Sequence, residues 1–521
     1  KVMVEDIPRH GSKLAQGLRE VGKDVRVEAE KQLKEFYPDG PDGSTPIAYL
    51  WARTVRCESV GCGAEIPLVR SFWLCKKASR RRALRWRIVK MKGHAPVVDF
   101  EIFTPKSERD VQAGTVARAR ATCLACGVVL PPDAVRAQLR SQHGGGDVQF
   151  DKRGRRVGGA RLLSVVTLSG QGEGRDYRLA SDKDYAVVWN AQARLATTQP
   201  DLPTETLPFM SGTFNVPLYG MNRWEDVFTA RQKVFLSTLA SLCASKNLAG
   251  GLAEHLALVC SRMANASTAL CRWHNSGEKL EGLFSRQAIG MVWDFAEGNP
   301  LSDATGGLAG ALDWVLGVLT CLSPAIVNCG QVVQADARSS PLPDESVSAW
   351  FTDPPYYFAV PYADLSDFFF VWLKRCLPKN NLLRDPFDSD NPLTPKDAEL
   401  CEMAHWDQQR YANKDKQYFE NGMAAAFREG RRVLAPNGIG SVVFAHKTTE
   451  GWEALLAGLI AGGWTITASW PISTEMATRL RARESAALGT SVHLVCRPRP
   501  ANAAIGDWSD VYRELPDRIG D

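Results

Sequence analysis

The chain has 521 residues, of which 45% are hydrophobic and 23% charged, with a formal net charge of +5. That length and apolar content suffice for two or three buried cores and exclude a chain disordered throughout. No apolar run reaches the roughly 20 residues of a membrane span, and the opening Lys1-Val2-Met3-Val4-Glu5-Asp6 lacks the apolar core and cleavage site of an export signal.

Residues 1–50 read as a helical segment, with a Lys/Glu-rich helix over about 12–36 that ends at Tyr37-Pro38-Asp39-Gly40. Residues 51–190 change character: short β-like runs (Ile66–Leu74, Ala160–Leu168), paired cysteines, and many Gly and Arg. A Thr/Pro-rich stretch at 191–223 serves as linker or extended arm. Apolar-periodic helices return over 224–324, at Val227–Ser245, Gly250–Arg272 and Leu308–Leu322.

Strand and helix alternate from 325 to 500, ahead of a tail at 501–521. Strands are expected at Gln331–Ala335, Ser346–Thr352, Ser441–His446, Trp464–Trp470 and Ser491–Arg497. Helices are expected from Pro361 to about Leu377, from about Trp406 to Leu434, and over Glu450–Ala461. This alternation predicts an α/β fold built on a mostly parallel, doubly wound sheet whose binding loops lie at the strands' carboxyl ends.

Two such ends carry candidate chemistry. The strand at 346–352 runs into Asp353-Pro354-Pro355-Tyr356. Two prolines remove backbone donors and fix φ near −65°, so Asp353 and the Pro354 carbonyl are stiffly held acceptors. Such acceptors suit an exocyclic NH₂ on a nucleobase, whose nitrogen becomes nucleophilic only as it turns pyramidal. Tyr356 offers a ring face to a base taken out of its stack. Asp336, seventeen residues before Asp353, ends the neighbouring predicted strand; it suits the adenine amino group of a nucleoside cofactor or caps the turn at Ser339-Ser340-Pro341. The segment Arg432–Lys447 reads as scaffold; His446 and Lys447, at its strand end, read as structural, with approach to substrate the alternative.

Cys57 and Cys62 form a C-x₄-C pair, and Cys123 and Cys126 a C-x₂-C pair followed by Gly127. Four thiolates from two such knuckles suit structural zinc, although the 60-residue gap between them is long; unmetallated thiols are the alternative. Cys75 is a spare thiol. The thirteen cysteines, in a chain without an export signal, favour a reducing cytoplasm, with thiols such as Cys260 and Cys496 as small buried hydrophobes. Between the knuckles lies a basic run: Lys76, Lys77, Arg80, Arg81, Arg82, Arg85, Arg87, Lys90 and Lys92 with Trp86 interleaved. A second run holds Lys152, Arg153, Arg155 and Arg156. They read either as solvated faces or as phosphate contacts. A strand followed by a Phe-x-Gly-x-Gly loop for the cofactor's methionine end is not evident. His143–Asp147 has no strand before it, and Met291–Pro300 with Gly306-Gly307 is spaced wrongly, reading as a buried element with a loop.

At these residues the chain resembles the large adenine-specific DNA methylases that contain a Zn-ribbon, a bacterial and archaeal family with an N-terminal domain of unknown function. The resemblance runs through Trp51–Cys57, Cys62–Trp73, Cys123 and Cys126, Gly174–Arg178, Arg272–His274, Arg286-Gln287, Val292–Glu297 and Asp353–Pro361. It implies a Rossmann-like methyltransferase sheet with an inserted zinc-ribbon module, S-adenosylmethionine as cofactor, and double-stranded DNA as partner. It assigns catalysis to Asp353, Pro354, Pro355 and Tyr356. The family's Gly-rich loop would lie upstream of Lys1, so the resemblance also implies a truncated chain or a partner that supplies that half. Cytosine amino-methylation, or a zinc-containing DNA-binding fragment without a complete cofactor site, remain the alternatives.

Overall fold

The computed structural model describes residues 1–40, 43–168, 174–246, 248, 251–285, 287–325, 328–355, 360–446, 449–473, 490–500, 502–503 and 506–520. Its contacts divide into two compact units: Lys1–Val332 with Tyr362–Pro395, and Val333–Pro361 with Lys396–Asp521.

The first unit opens with α1 (Ile7–His10) and α2 (Ser12–Leu33). In α2, Leu14, Leu18, Val25, Ala29 and Leu33 recur at helical spacing and form the buried face. β1 (Pro46–Arg56) follows, with ten of its eleven residues buried. A continuous apolar run with a little polarity is what a strand covered on both faces requires.

Between β1 and the next long strand lie β2 (Glu65–Leu68), β3 (Trp73–Cys75), β4 (Arg82–Val89), β5 (Val97–Phe103), β6 (Val116–Ala117), β7 (Arg120–Thr122), β8 (Val129–Leu130), β9 (Val148–Phe150) and β10 (Arg156–Gly159). They are joined by one helix, α3 (Pro132–Arg140). Then come β11 (Arg161–Leu168), β12 (Arg175–Arg178), α4 (Asp182–Thr198), α5 (Ala230–Ser245), α6 (Leu252–Ala266), β13 (Arg272–His274), β14 (Lys279–Glu281), β15 (Asp294–Gly298) and α7 (Leu308–Leu322). The main sheet has the order β12-β11-β1-β15 with β2 on the far end of β1, and its pairings are antiparallel. β3-β4-β5 is a separate sheet; it takes up much of the gap between the two cysteine pairs. The expected linker at 191–223 begins inside α4, which runs on to Thr198.

Two buried arginines organise this unit. The Arg53 guanidinium donates to the carbonyls of Val292, Gly144 and Ala269, and burial pulls its pKa down to about 9. The His143–Asp147 run is therefore a wrapping for Arg53: Gly144 and Gly145 adopt φ of 87° and 67°, which glycine allows without strain. Arg231 on α5 pairs with Glu297 on β15 at 2.7 Å, both side chains 1% exposed. Trp51 Nε1 and Thr229 Oγ1 donate to the same carboxylate at 2.9 and 3.1 Å.

α8 (Tyr362–Cys376) belongs to this first unit although it follows the Asp-Pro-Pro loop in sequence. Its Phe368 and Trp372 pack on Phe228 at 5.9 and 5.4 Å between ring centroids.

The second unit holds β16 (Val347–Thr352), α9 (Lys416–Val433), β17 (Leu434–Phe444), α10 (Thr449–Ala461), β18 (Trp464–Ser473), β19 (Thr490–Pro498) and a C-terminal helix (Trp508–Gly520). Its sheet runs β16-β17-β19-β18. β16 and β17 are parallel, whereas β17/β19 and β18/β19 are antiparallel. This corrects the mostly parallel, doubly wound expectation: the described sheet is mixed. α9 and α10 pack with Val442, Phe444, Leu494 and Cys496 in one core. Phe351 and Trp470, on strands of the same sheet, are 65% and 63% exposed.

Two element expectations also fail. Residues 331–336 form no strand; Val333 is exposed and the Val332 amide donates to Glu5 instead. The helix expected from Trp406 starts only at Lys416, where the Asp415 carboxylate accepts from the Tyr418 amide and caps it.

Candidate functional site

In the second unit, β16 delivers its carboxyl end to Asp353. Trp350 anchors the strand by stacking on Trp464 at 5.1 Å and meeting Phe427 edge-on at 6.2 Å. The following residues change from exposed to buried: Asp353 is exposed, Pro354 buried and Pro355 intermediate. The Asp353 carboxylate has no hydrogen-bond partner among the described residues. An exposed, unengaged acceptor ahead of a proline held in the protein is a geometry able to receive an N–H donor. Tyr356 lies outside the described residues, as does Lys447. His446 stacks on Phe444 at 6.0 Å, and its carbonyl accepts from Trp452 Nε1.

Asp336 is placed differently from its sequence expectation, for no strand leads into it. Its carboxylate takes Arg338 in a forked pair, Nε to Oδ1 at 3.0 Å and Nη2 to Oδ2 at 2.7 Å, and also accepts the Arg338 amide. The Arg338 hydrogen bond holds its carboxyl below the usual range. Arg338 lies only two residues on, so this partnership is local and satisfies the acid without a ligand.

In the first unit, the four cysteines singled out by spacing do converge. Cys57, Cys62, Cys123 and Cys126 place their Sγ atoms within 4.8 Å of one another. Cys57–Cys126 and Cys62–Cys123 are 3.6 and 3.8 Å apart. A tetrahedral zinc with bonds of about 2.3 Å sets its sulfurs about 3.8 Å apart, so the thiols fit that ion. They are too far apart for disulfides, whose sulfurs bond at about 2.0 Å.

Each knuckle is shaped by backbone bonds. The Cys57 amide donates to the Ala64 carbonyl at 2.9 Å, with Gly61 and Gly63 at positive φ in the bend. The Cys123 amide donates to Val128 at 2.8 Å and the Gly127 amide returns to Cys123 at 2.9 Å. A side chain at Gly127 (φ 79°) would be strained. Burial raises the Cys57 thiol to about 12, while the backbone bond from Val128 lowers exposed Cys126 to about 7. Cys75 lies apart, beside Glu278.

The basic runs are mostly engaged with acids. Arg85 faces Glu101 and Arg87 faces Asp99 across the β4–β5 hairpin, at 3.2 and 2.6 Å. Lys77 and Arg80 converge on buried Glu278, Arg156 on Glu65 and Arg155 on Asp151. The sequence shows density of charge but not these cross-strand partners.

A cleft of about 410 Å³ in the first unit was not foreseen. It lies between α6 and α7, with Arg262 and Trp314 in its wall. α7 reads in sequence as an apolar helix, and only its Trp hints at an exposed ring.

No family model matches the chain, and no curated protein matches it. Two crystal structures of a candidate DNA modification methylase from Thermus thermophilus overlap with it at 14% identity, one of them complexed with S-adenosyl-L-methionine. The overlap covers 34% of this chain and 58% and 59% of those chains, with TM-scores of 0.18 and 0.17. The match thus reaches less than two thirds of that protein's length, and an overlap this loose fixes neither fold nor activity. Among the described residues, no helix is long and apolar enough to cross a membrane.

Proposed function

We propose that this chain carries the amino-methylating part of an S-adenosylmethionine-dependent DNA methyltransferase acting on adenine. The supporting observation is Asp353, exposed and unengaged at the carboxyl end of β16 and followed by Pro354 and Pro355. In this reading the Asp353 carboxylate and the Pro354 carbonyl accept the two N–H bonds of the exocyclic amine. Those bonds strengthen as the nitrogen becomes pyramidal, which lowers the barrier rather than merely tightening binding. The cofactor supplies the methyl group. The amine nitrogen gains it and loses a proton. Tyr356 carries the flipped base, Asp336 faces the cofactor adenine once freed from Arg338, and Cys57, Cys62, Cys123 and Cys126 hold zinc in a module that grips duplex DNA.

A second reading makes the chain a zinc-containing DNA-binding protein without a complete cofactor site. The engagement of Asp336 by Arg338 favours it. One experiment separates the readings. The protein is incubated with methyl-labelled S-adenosylmethionine and duplex DNA, the DNA is digested to nucleosides, and cofactor binding is followed by calorimetry. N6-methyladenine is expected. N4-methylcytosine would move the activity to cytosine, and neither product nor cofactor binding would establish the second reading instead.

A further inference from the structure

The cleft between α6 and α7 is lined by chemistry unlike that of a packing defect. On one wall Arg262 sets its guanidinium 4.4 Å from the centroid of Trp314, yet the indole stays 64% exposed. The floor is apolar, formed by Met263, Leu280 and Ala311. The other wall is the glycine-rich entry to α7. Gly306 has φ of 98°, and a Cβ at Gly310 would meet nothing within 4 Å, so the helix surface there is open.

A donor lines the same space. The Leu308 amide is used by Pro300 and the Ala311 amide by Gly307, but that of Gly310, which lines the cleft, has no protein acceptor among the described residues. It is an orphan donor at a helix's positive end, suited to an anion. Asn265 spends its Oδ1 on the Phe284 amide, leaving its Nδ2 without an acceptor among the described residues. Asp303, also in the cleft, pairs with Arg26 at 2.8 Å. A volume of about 410 Å³ falls at the lower end of the range for small-ligand sites.

An exposed ring with one face under an arginine, an orphan helix amide and a side-chain amide donor together select a planar base joined to an anion. We infer that this cleft binds an unstacked nucleotide of DNA, its base on the face of Trp314 opposite Arg262 and its phosphate toward the Gly310 amide. The inference rests on the DNA reading of the function and adds a second contact with the nucleic acid, distinct from the Asp353 loop. A protein partner would be the other occupant of an exposed Trp, but the polar donors would then be left unpaired.

The test is fluorescence anisotropy of a labelled single-stranded oligonucleotide of mixed sequence with the full chain and three variants. Trp314→Ala is expected to bind about tenfold more weakly, as expected for the loss of one base–aromatic stack. Trp314→Phe, which keeps a stacking face, is expected to remain within about threefold of wild type. Gly310→Glu, which leaves Trp314 in place and puts a carboxylate into the open space, is expected to weaken binding about as much as Trp314→Ala. Thermal melting of each variant guards against unfolding. No binding of the single strand by the wild type would overturn this site, whereas the DNA reading itself falls only if duplex DNA in the same assay is not bound either. Wild-type binding left unchanged by Trp314→Ala would overturn this site alone. Self-association lost in Trp314→Ala without change in oligonucleotide affinity would make the face a protein contact and also overturn it.

Discussion

At the scale of single residues, the chemistry of the cysteine cluster depends on where four sulfurs come to rest. Cys57 and Cys62 bracket one bend and Cys123 and Cys126 another, and the Sγ separations across the bends, 3.6 Å for Cys57–Cys126 and 3.8 Å for Cys62–Cys123, suit a tetrahedral ion. Purified protein is expected to carry about one zinc per chain, and Cys123→Ser to lose most of it with a lowered melting temperature, because a metal held only by the folded chain stabilises that fold. Metal analysis checks this; unchanged zinc in the variant would contradict it. These residues were legible in the sequence because two closely spaced cysteine pairs, C-x₄-C and C-x₂-C followed by Gly, are the spacing that metal knuckles use. Asp336 was not, since its partner Arg338 is a neighbour in the chain and no spacing rule reveals that pair.

At the scale of elements, the ties between β15, β1 and α5 pass through one buried carboxylate. Glu297 receives Arg231, Trp51 and Thr229, and Arg231 lies 3.9 Å from the Tyr49 ring centroid. Removing the acid strands a buried guanidinium. Glu297→Ala is therefore expected to cost about 3–5 kcal/mol in urea denaturation, while the double change Arg231→Met with Glu297→Leu recovers most of that loss. A loss below about 1 kcal/mol in the single variant would contradict the role given to the pair.

Element positions were largely readable. α7 falls on the expected Leu308–Leu322 and α10 within a residue of its expected start, because helical periodicity is a local signal. Strand direction was not. β18 and β19 look like any apolar strands, and only their pairing with each other shows that they run antiparallel. The exposed Val332 and Val333 imitate a strand but pair with no strand among the described residues.

At the scale of the molecule, the chain's candidate chemistry is split between its two units. The cysteine cluster and the Arg262–Trp314 cleft belong to the first, and Asp353 to the second. The sequence suggested one continuous catalytic stretch from 325 to 500, yet α8 packs with Phe228 in the first unit. Its aromatic face has a partner far off in sequence, which no local pattern announces. The two readings of the chain part at Asp353, the residue at the head of the Asp-Pro-Pro motif.

The direct test is methyl transfer to DNA by wild type and Asp353→Ala, with cofactor affinity measured in both. The account predicts a loss of at least about a hundredfold in kcat, the usual scale for removing one transition-state hydrogen-bonding group, with cofactor binding and melting temperature unchanged. Transfer to the adenine amino group at the wild-type rate by Asp353→Ala would contradict it.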